Sequence, residues 1–538
     1  MKKIIYASLM VASIFATTSC ESYLDVNTNP NGPDALLQPE LFLPAIQSEL
    51  AVATQWDGRF AGFYTQNWGY YSAGYSLDLH NNPLSDSYAQ LWRAVYWSMG
   101  YNLSDMIESA ELNKKYDFAG VGYIMRALGW QNLTDYHGPV IVTEAFDPDK
   151  RTFNYDEQQV VYAEIQRLLM LGIENLERTD GLDEANSGLS GADLIYGGNR
   201  EQWKKFAYGL LAINAHRLTN KSSYDPNKVI EYVDKSFTSN ADDALIRFQG
   251  EVSTNSNFFG PRRGNIGGYR QTKFIVGLLD GSNPALSDPT LVGEDPAEEF
   301  AGQHLKDPRL TAMLAPAPDG QYRGVTPGVG LTQWTDAEEA LEPKSLWNSV
   351  GTSSTSPGSQ IYIFGDNALF PLMTYAQLQF IKAEAAWIAN KKDVALDAYT
   401  EGVNAHMDFA RSYAPDKALF DQRRAEYMAS EELMPTSVAD LTLSKIMLQK
   451  YIATWAWGFL DTWSDMRRYH YDQGNEANPV YVGFELPEEL YSTNQEKPAY
   501  RARPRFNSEY MWNKEALEKL GGFEENYHTF ETWFSKPE

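Results

Sequence analysis

Cysteine is almost absent: Cys20 is the only one in 538 residues, so an internal disulfide is excluded. A structural zinc site built on thiolates is excluded with it. The seven histidines, His80, His137, His216, His304, His406, His470 and His528, include no HExxH pair, and no G-x-S-x-G elbow or GxxxxGK[ST] phosphate loop occurs. The residues therefore give no support for catalysis, a bound metal or a cofactor. Acidic pairs are too abundant for any two to be nominated as a glycosidase couple without geometry. Basic residues are scarce: 45 Lys and Arg face 71 Asp and Glu, a formal charge of −26. No dense Lys/Arg run interrupts that acidity, which argues against nucleic acid as a partner. Long apolar runs are missing too. The longest, Ile4 to Ala16, is broken by Ser8 and Ser13 and falls short of the ~20 residues that span a bilayer.

That short run has a different use. Met1-Lys2-Lys3, the apolar stretch and the small residues Thr17-Thr18-Ser19 stand in the order of a secretory signal. The small residue before Cys20 is similar to a bacterial lipobox, with Thr17 where leucine is usual. We therefore expect a signal peptide over 1–19 and a mature chain, 20–538, held on a membrane by lipid on Cys20. Several acyl chains, at about 0.8 kcal/mol per buried methylene, make such an anchor lasting. Loss of Lys2 and Lys3 leaves 43 basic residues against 71 acidic ones, a mature charge of −28. With no thiol left, the mature body relies on burial alone, for which its 43% hydrophobic content suffices.

Apolar residues recur at helical spacing over Pro39 to Thr54, Tyr88 to Ala110, Phe118 to Tyr136, Asp156 to Leu176, Arg200 to Thr219, Thr374 to Asn390, Val394 to Tyr413 and Leu441 to Tyr469. The chain is read as mainly α. Gly, Ser, Asn and Pro dominate Gln249 to Gly268, Asp280 to Pro296 and Ala315 to Gly365, and loops of that length are functional or disordered. Tyr322-Arg-Gly-Val and Gln360-Ile-Tyr-Ile-Phe read as short strands. No Pro/Ser linker divides the chain, so 20–538 is taken as a single domain with long loop insertions at about 249–296 and 315–365. Ala383, Ala386, Ala395, Tyr399 and Gly402 resemble the small-residue positions of a tetratricopeptide hairpin, although any well-packed helical hairpin would look alike. Phe118 to Tyr136 with Asp156 to Leu176 is a second such pair. Asn27-Thr-Asn-Pro-Asn-Gly32 matches the start of a calcium loop, but Gln38 stands at its twelfth position, and we read a turn.

Several segments together resemble the SusD/RagB family of nutrient-binding outer-membrane lipoproteins of Bacteroidetes. Cys20-Glu-Ser-Tyr-Leu-Asp-Val-Asn is similar to the family's start, and Arg126-Ala-Leu-Gly-Trp-Gln-Asn-Leu-Thr-Asp-Tyr-His-Gly-Pro-Val140 to its helix and Tyr-Gly-x-(Val)-Pro exit turn. Gly197-Gly-Asn-Arg-Glu-Gln-Trp203 resembles its Gly-Asp-x-x-x-Trp helix, and Phe370 to Ala386 its most telling stretch, with Gln377 where many members carry Glu. Gln449-Lys-Tyr-Ile-Ala453, Arg467-Arg468 and the closing Arg501-Ala-Arg-Pro-Arg-Phe-Asn-Ser-Glu509 then Asn513 complete the series, in family order over nearly the whole chain. The departures at Thr17, Gln377 and Phe506 mark a divergent SusD-like branch. The resemblance implies a fold of tetratricopeptide-like hairpins with an irregular, loop-built ligand face. It further implies a lid on a SusC-like TonB-dependent transporter, exposed at the cell surface.

A lid for sugars needs flat apolar faces for pyranose C–H groups beside polar groups for hydroxyls. The 13% aromatic content, with 33 Tyr and 14 Trp, supplies such faces. They are densest in Gln55 to Tyr75, where Trp68, Tyr70, Tyr71, Tyr75 and Arg59 are the first candidates. A second patch holds Phe258, Phe259, Arg262, Arg263 and Tyr269, while Trp334 and Trp347 lie in the third long loop. The alternative for any one ring is the core, as for Trp92, Tyr96 and Trp97 on the following helix. The reading is a non-catalytic binder of oligosaccharides. Oligopeptide capture, an envelope glycoside hydrolase and a purely structural lid are its rivals.

Overall fold

A computed structural model describes residues 36–288, 307–351 and 361–538. The signal, Cys20 and the Asn27 turn lie outside the described residues, as does His304. Helix α1, Leu43–Tyr64, carries Pro44 in its first turn, where a missing N–H costs nothing, and buries Leu43, Ile46, Leu50, Phe60 and Phe63. It continues well past Thr54 because polar and small residues there are buried in specific contacts. Gln55 donates to Asn257 Oδ1 (2.6 Å), Asp57 accepts from the amides of Gln90 (3.1 Å) and Leu91 (2.7 Å), and a Cβ on Gly58 would lie 2.2 Å from the Phe459 ring. Apolar periodicity cannot register such contacts.

The helix expected over Tyr88 to Ala110 is broken into a 3₁₀ turn (Asp86–Tyr88), an α turn (Gln90–Arg93), a π turn (Ala94–Ser98) and α2, Gly100–Leu112. Helices α3 (Tyr116–His137) and α4 (Gln158–Glu177) form the expected antiparallel hairpin. They meet at two glycines, since a Cβ on Gly120 would stand 2.8 Å from the Gly172 carbonyl oxygen. Helix α5 (Arg200–His216) is capped by Asn199, and α6 (Pro226–Asp234), which has no counterpart in the periodicity, by Asp225. Helix α7 (Lys273–Asp280) follows. A reciprocal Thr374 and Gln377 cap starts α8, Tyr375–Ile388, which pairs with α9, Lys392–Arg411, where Gly402 admits the Phe380 ring. The small residues thus set the close approach of this hairpin too. After α10 (Lys417–Ala429), the expected helix from Leu441 to Tyr469 is two, α11 (Leu443–Thr454) and α12 (Phe459–Arg468). The break holds Ala456 at φ 71°, fixed because Ala456 N and Trp455 Nε1 both donate to Asn67, at 2.7 and 2.8 Å.

Strands are few and short among the described residues. β1 (Gly69–Tyr70) pairs antiparallel with β3 (Tyr269–Arg270), and β2 (Ala244–Arg247) with β4 (Leu369–Met373). The strand expected over Tyr322 to Val325 does not form, Val325 making only an isolated bridge to Thr272. Of the one expected over Gln360 to Phe364, Gln360 lies outside the described residues and Tyr362–Phe364 is a 3₁₀ turn.

The helices meet around buried charge. Glu384 of α8 pairs with Arg468 (2.8 Å), accepts from the Tyr469 hydroxyl (2.6 Å) and lies 2.8 Å from His216 Nε2. Lys450 and Arg468 both pair with Asp465, at 2.7 and 2.6 Å. Burial would raise the Glu384 carboxyl, but Arg468, His216 and Lys450 outweigh it and hold it well below the usual carboxylate range. Burial pushes His216 below its ordinary value despite the raising effect of Glu384. Removing the Glu384 carboxylate would leave Lys450 and Arg468 to share Asp465 alone, an uncompensated buried charge, and breaking such a pair typically costs about 3–5 kcal/mol. Glu384→Ala is expected to lower the urea midpoint by a corresponding amount; an unchanged midpoint would refute this role.

Candidate functional site

Beyond α1 the chain reverses sharply. The amides of Asn67 and Trp68 both return to Gly62 O, at 2.8 and 3.4 Å, and Gln66 takes φ 55°. Trp68 folds over Gly62, where a Cβ would sit 2.4 Å from the indole, and donates through Nε1 to Arg59 O (2.9 Å). Its ring is wholly buried against Phe259, Tyr269 and Phe459. Trp68 is thus the anchor of the loop rather than a ring that faces a ligand.

From that anchor β1 leads outward to a group of half-buried tyrosines. Tyr70 stacks on Tyr75 with 3.9 Å between centroids and 18° between planes, and Tyr71 lies 4.8 Å from Tyr70. The turn between them is pinned from outside: Gly74 N donates to Gly328 O and Leu331 N to Tyr71 O, each at 2.8 Å. Trp334, half-buried, follows the short turn that begins at Leu331. Phe63 and Tyr269 floor the surface beneath Tyr75. On the α1 side, Phe60 carries Tyr88 at 4.1 Å, and the Arg59 guanidinium lies 4.8 Å from the Trp56 ring and 5.0 Å from those of Phe60 and Phe258. The structure therefore brings Arg59, Tyr70, Tyr71 and Tyr75 to one face and adds Trp56 and Tyr88. The i,i+3 spacing of Trp56 and Arg59 on one helix was a usable signal; Tyr88 carried none, since its position reads equally as the start of a helix.

The other expected residues lie beneath or beside this face. Phe258, Phe259, Tyr269 and Trp347 are buried, with Trp347 Nε1 donating to Phe259 O at 2.7 Å. These four are corrected to core, because a ring closed in by protein on both faces has none left for a ligand. Arg262 pairs with Asp366 (3.5 Å), and Arg263 donates to the carbonyls of Ser256 (3.2 Å) and Thr254 (3.0 Å), so both stiffen their own turn.

An open cleft of about 970 Å³ adjoins the tyrosine loop. Gln66, Gly74 and Leu79 form one wall, α7 with Lys273 and Asn283 another, and the segment with Glu485, Glu488 and Glu489 a third. Half-exposed ring faces beside amide and carboxylate acceptors suit a ligand rich in both C–H faces and hydroxyls. Among the described residues no three His, Cys, Asp or Glu side chains cluster as metal ligands would. His80, His137 and His528 are buried in the core, and burial lowers each to about 3.

Residues 30–480 match a family described as SusD-like, starch-binding, associating with outer membrane. Solved structures of the same fold include a SusD/RagB family protein from Bacteroides thetaiotaomicron (21% identity, TM-score 0.66, covering 93% of this chain and 100% of that one). A SusD homolog from Bacteroides fragilis is similar at 20% identity and TM-score 0.66, with 93% and 100% covered. A chitin-binding SusD homolog from Flavobacterium johnsoniae is similar at 17% identity and TM-score 0.66, with 93% and 99% covered. No curated protein matches the chain by sequence.

Asp78 ties the tyrosine loop to its neighbour, accepting from Tyr70 N (3.1 Å) and from the Gly328 amide. Burial pushes its carboxyl up to about 7 against the lowering effect of those amides. The folded protein then holds a proton that the unfolded chain releases near pH 4, so this group's contribution to stability falls as pH rises from about 4 to about 7. Asp57 and Asp243, also pushed to about 7 by burial, act in the same direction. In Asp78→Asn the Asp78 share of that loss disappears. Its Tm should therefore gain on the parent protein between pH 5 and pH 8, and a difference constant across that range would contradict the assignment.

Proposed function

Because the chain belongs to the SusD-like family, whose members bind rather than catalyse and associate with the outer membrane, we propose that it captures oligosaccharides at the cell surface for a SusC-like TonB-dependent transporter. Lipid on Cys20 is its anchor in this reading. The observation that carries the proposal is the stacked, half-buried Tyr70 and Tyr75 pair, with Tyr71 beside it, on a loop whose Gly74 lines a wide cleft of mixed polar and apolar character. Sugar rings present alternating C–H faces and hydroxyls, and such a surface answers both at modest affinity. The chitin-binding name of the Flavobacterium johnsoniae homolog is consistent with a glycan ligand. The openness of the cleft favours a chain that runs across it over a small compound enclosed within it.

Electrophoresis through gels containing single polysaccharides, chitin oligomers among the soluble ligands, tests the binding. At least one glycan should retard the mature protein, and the double variant Tyr70→Ala, Tyr75→Ala should weaken that binding at least tenfold, about 1.4 kcal/mol, while its far-UV spectrum and Tm stay near the parent's. Retardation by no glycan, with binding to peptide mixtures instead, would replace this reading by oligopeptide capture. The anchor is tested separately. Cys20→Ala should fold normally yet leave the membrane fraction, and a misfolded variant would count against lipidation of that residue.

A further inference from the structure

Two π-helical turns occur among the described residues, Ala94–Ser98 and Phe506–Tyr510, and side chains from both line one pocket of about 280 Å³. We propose that this pocket is a second ligand site, taking a single pyranose ring that carries a carboxylate. A π turn widens a helix by one residue and is often found at functional sites. Here two turns distant in sequence converge on one cavity.

The pocket's size and chemistry select the ligand. It lies just below the roughly 300–1,000 Å³ of drug-sized sites, which suits one ring rather than a chain. Trp97 and Tyr101, one helical turn apart, stand at its mouth 67% and 52% exposed. Their neighbours Tyr96 and Phe146 are packed beneath, with Tyr101 edge-on to Phe146 at 5.4 Å. Large rings left in water above an apolar floor offer a stacking face.

The polar edge is unfinished. Arg93 lies 4.9 Å over the Trp97 ring and makes no ion pair among the described residues. Arg505, by contrast, is matched by Asp86 at 3.2 Å. Arg505 Nε and Ser508 Oγ are buried without hydrogen-bond partners. Glu509 Oε2 is occupied by the Tyr155 hydroxyl (2.6 Å) and Asn513 Nδ2 (3.0 Å). A carboxylate on the ligand therefore belongs at Arg93, whose planar fork matches it, and the sugar hydroxyls belong toward Ser508 and Glu509. In the reverse orientation two carboxylates would face each other. No lining residue is shared with the tyrosine face or its cleft, so this site stands independently of the proposed function.

Titration of the mature protein with D-glucuronate, followed by tryptophan fluorescence and saturation-transfer NMR, tests the site, with glucose as the neutral control. Saturable glucuronate binding is expected, weakened at least tenfold by Trp97→Ala and by Arg93→Ala, and unchanged in Tyr70→Ala, Tyr75→Ala. Thermal melts of the two pocket variants should match the parent's, since Trp97 is exposed and Arg93, half-buried, makes no ion pair among the described residues. Absence of saturable binding, equal binding of glucose that survives Arg93→Ala, or loss of binding only in the tyrosine variant would each overturn the proposal.

Discussion

The fold depends on matching charges that have been taken out of water. Glu384, Asp465, Lys450 and Arg468 are all but inaccessible to solvent, and none is tolerable there alone. Their partners come from α8, α11 and α12, while Arg217, at the C-cap of α5, reaches Asp135 of α3 at 2.9 Å and also pairs with Asp461. Ion pairs of this kind seldom stabilise more than well-packed apolar residues would. What they impose is register: a helix shifted by one residue would leave an unpaired charge inside. Arg467 extends the constraint to the C-terminal segment, donating to the carbonyls of Asp135 (2.6 Å) and Tyr500 (2.8 Å).

The same frame positions the tyrosine face through a short chain of contacts. The break between α11 and α12 presents Trp455 and Ala456 to Asn67, and Asn67 begins the loop that carries the tyrosines. Tyr451 of α11 donates to the carbonyl of Thr65 at 2.9 Å. The base of the loop is thereby held on both sides by the helical body, and Trp68 plugs the space between. The stacked rings above it are held in place, so little rotamer freedom remains to them.

Helical hairpins were legible in the sequence where apolar periodicity and small residues coincide, as at Ala383 and Gly402, whereas the close approach of Gly120 and Gly172 emerges only in the structure. The break at Ala456 was not, because its cause is Asn67, almost four hundred residues away. The length of α1 was missed for a related reason: Gln55, Asp57 and Gly58 look like surface residues until their partners are known. Between Gln55 and Tyr75 the density of rings marked a segment but not which of its rings stay at the surface. Trp68 and Tyr70 have the same local neighbourhood in sequence, yet one turns inward over a glycine and the other outward along β1. Only the tertiary position of Gly62 separates them.

In a strongly acidic chain a lone guanidinium is exposed to many competing carboxylates, and two arginines escape them in the same way. Arg59 lies 4.8 Å from Trp56, and Arg93 lies 4.9 Å from Trp97, each on the same helical surface as its indole. The quadrupole of the ring holds the cation in place without neutralising it. A salt bridge would have fixed the side chain equally well but satisfied its charge and its donors. Stacking on indole leaves both guanidinium groups without a carboxylate partner among the described residues, beside a flat apolar face; Arg59 Nε donates to the Trp56 carbonyl at 3.1 Å. An aromatic ring is therefore more than a platform in these two places: it keeps a positive charge available in a chain whose formal charge is −26.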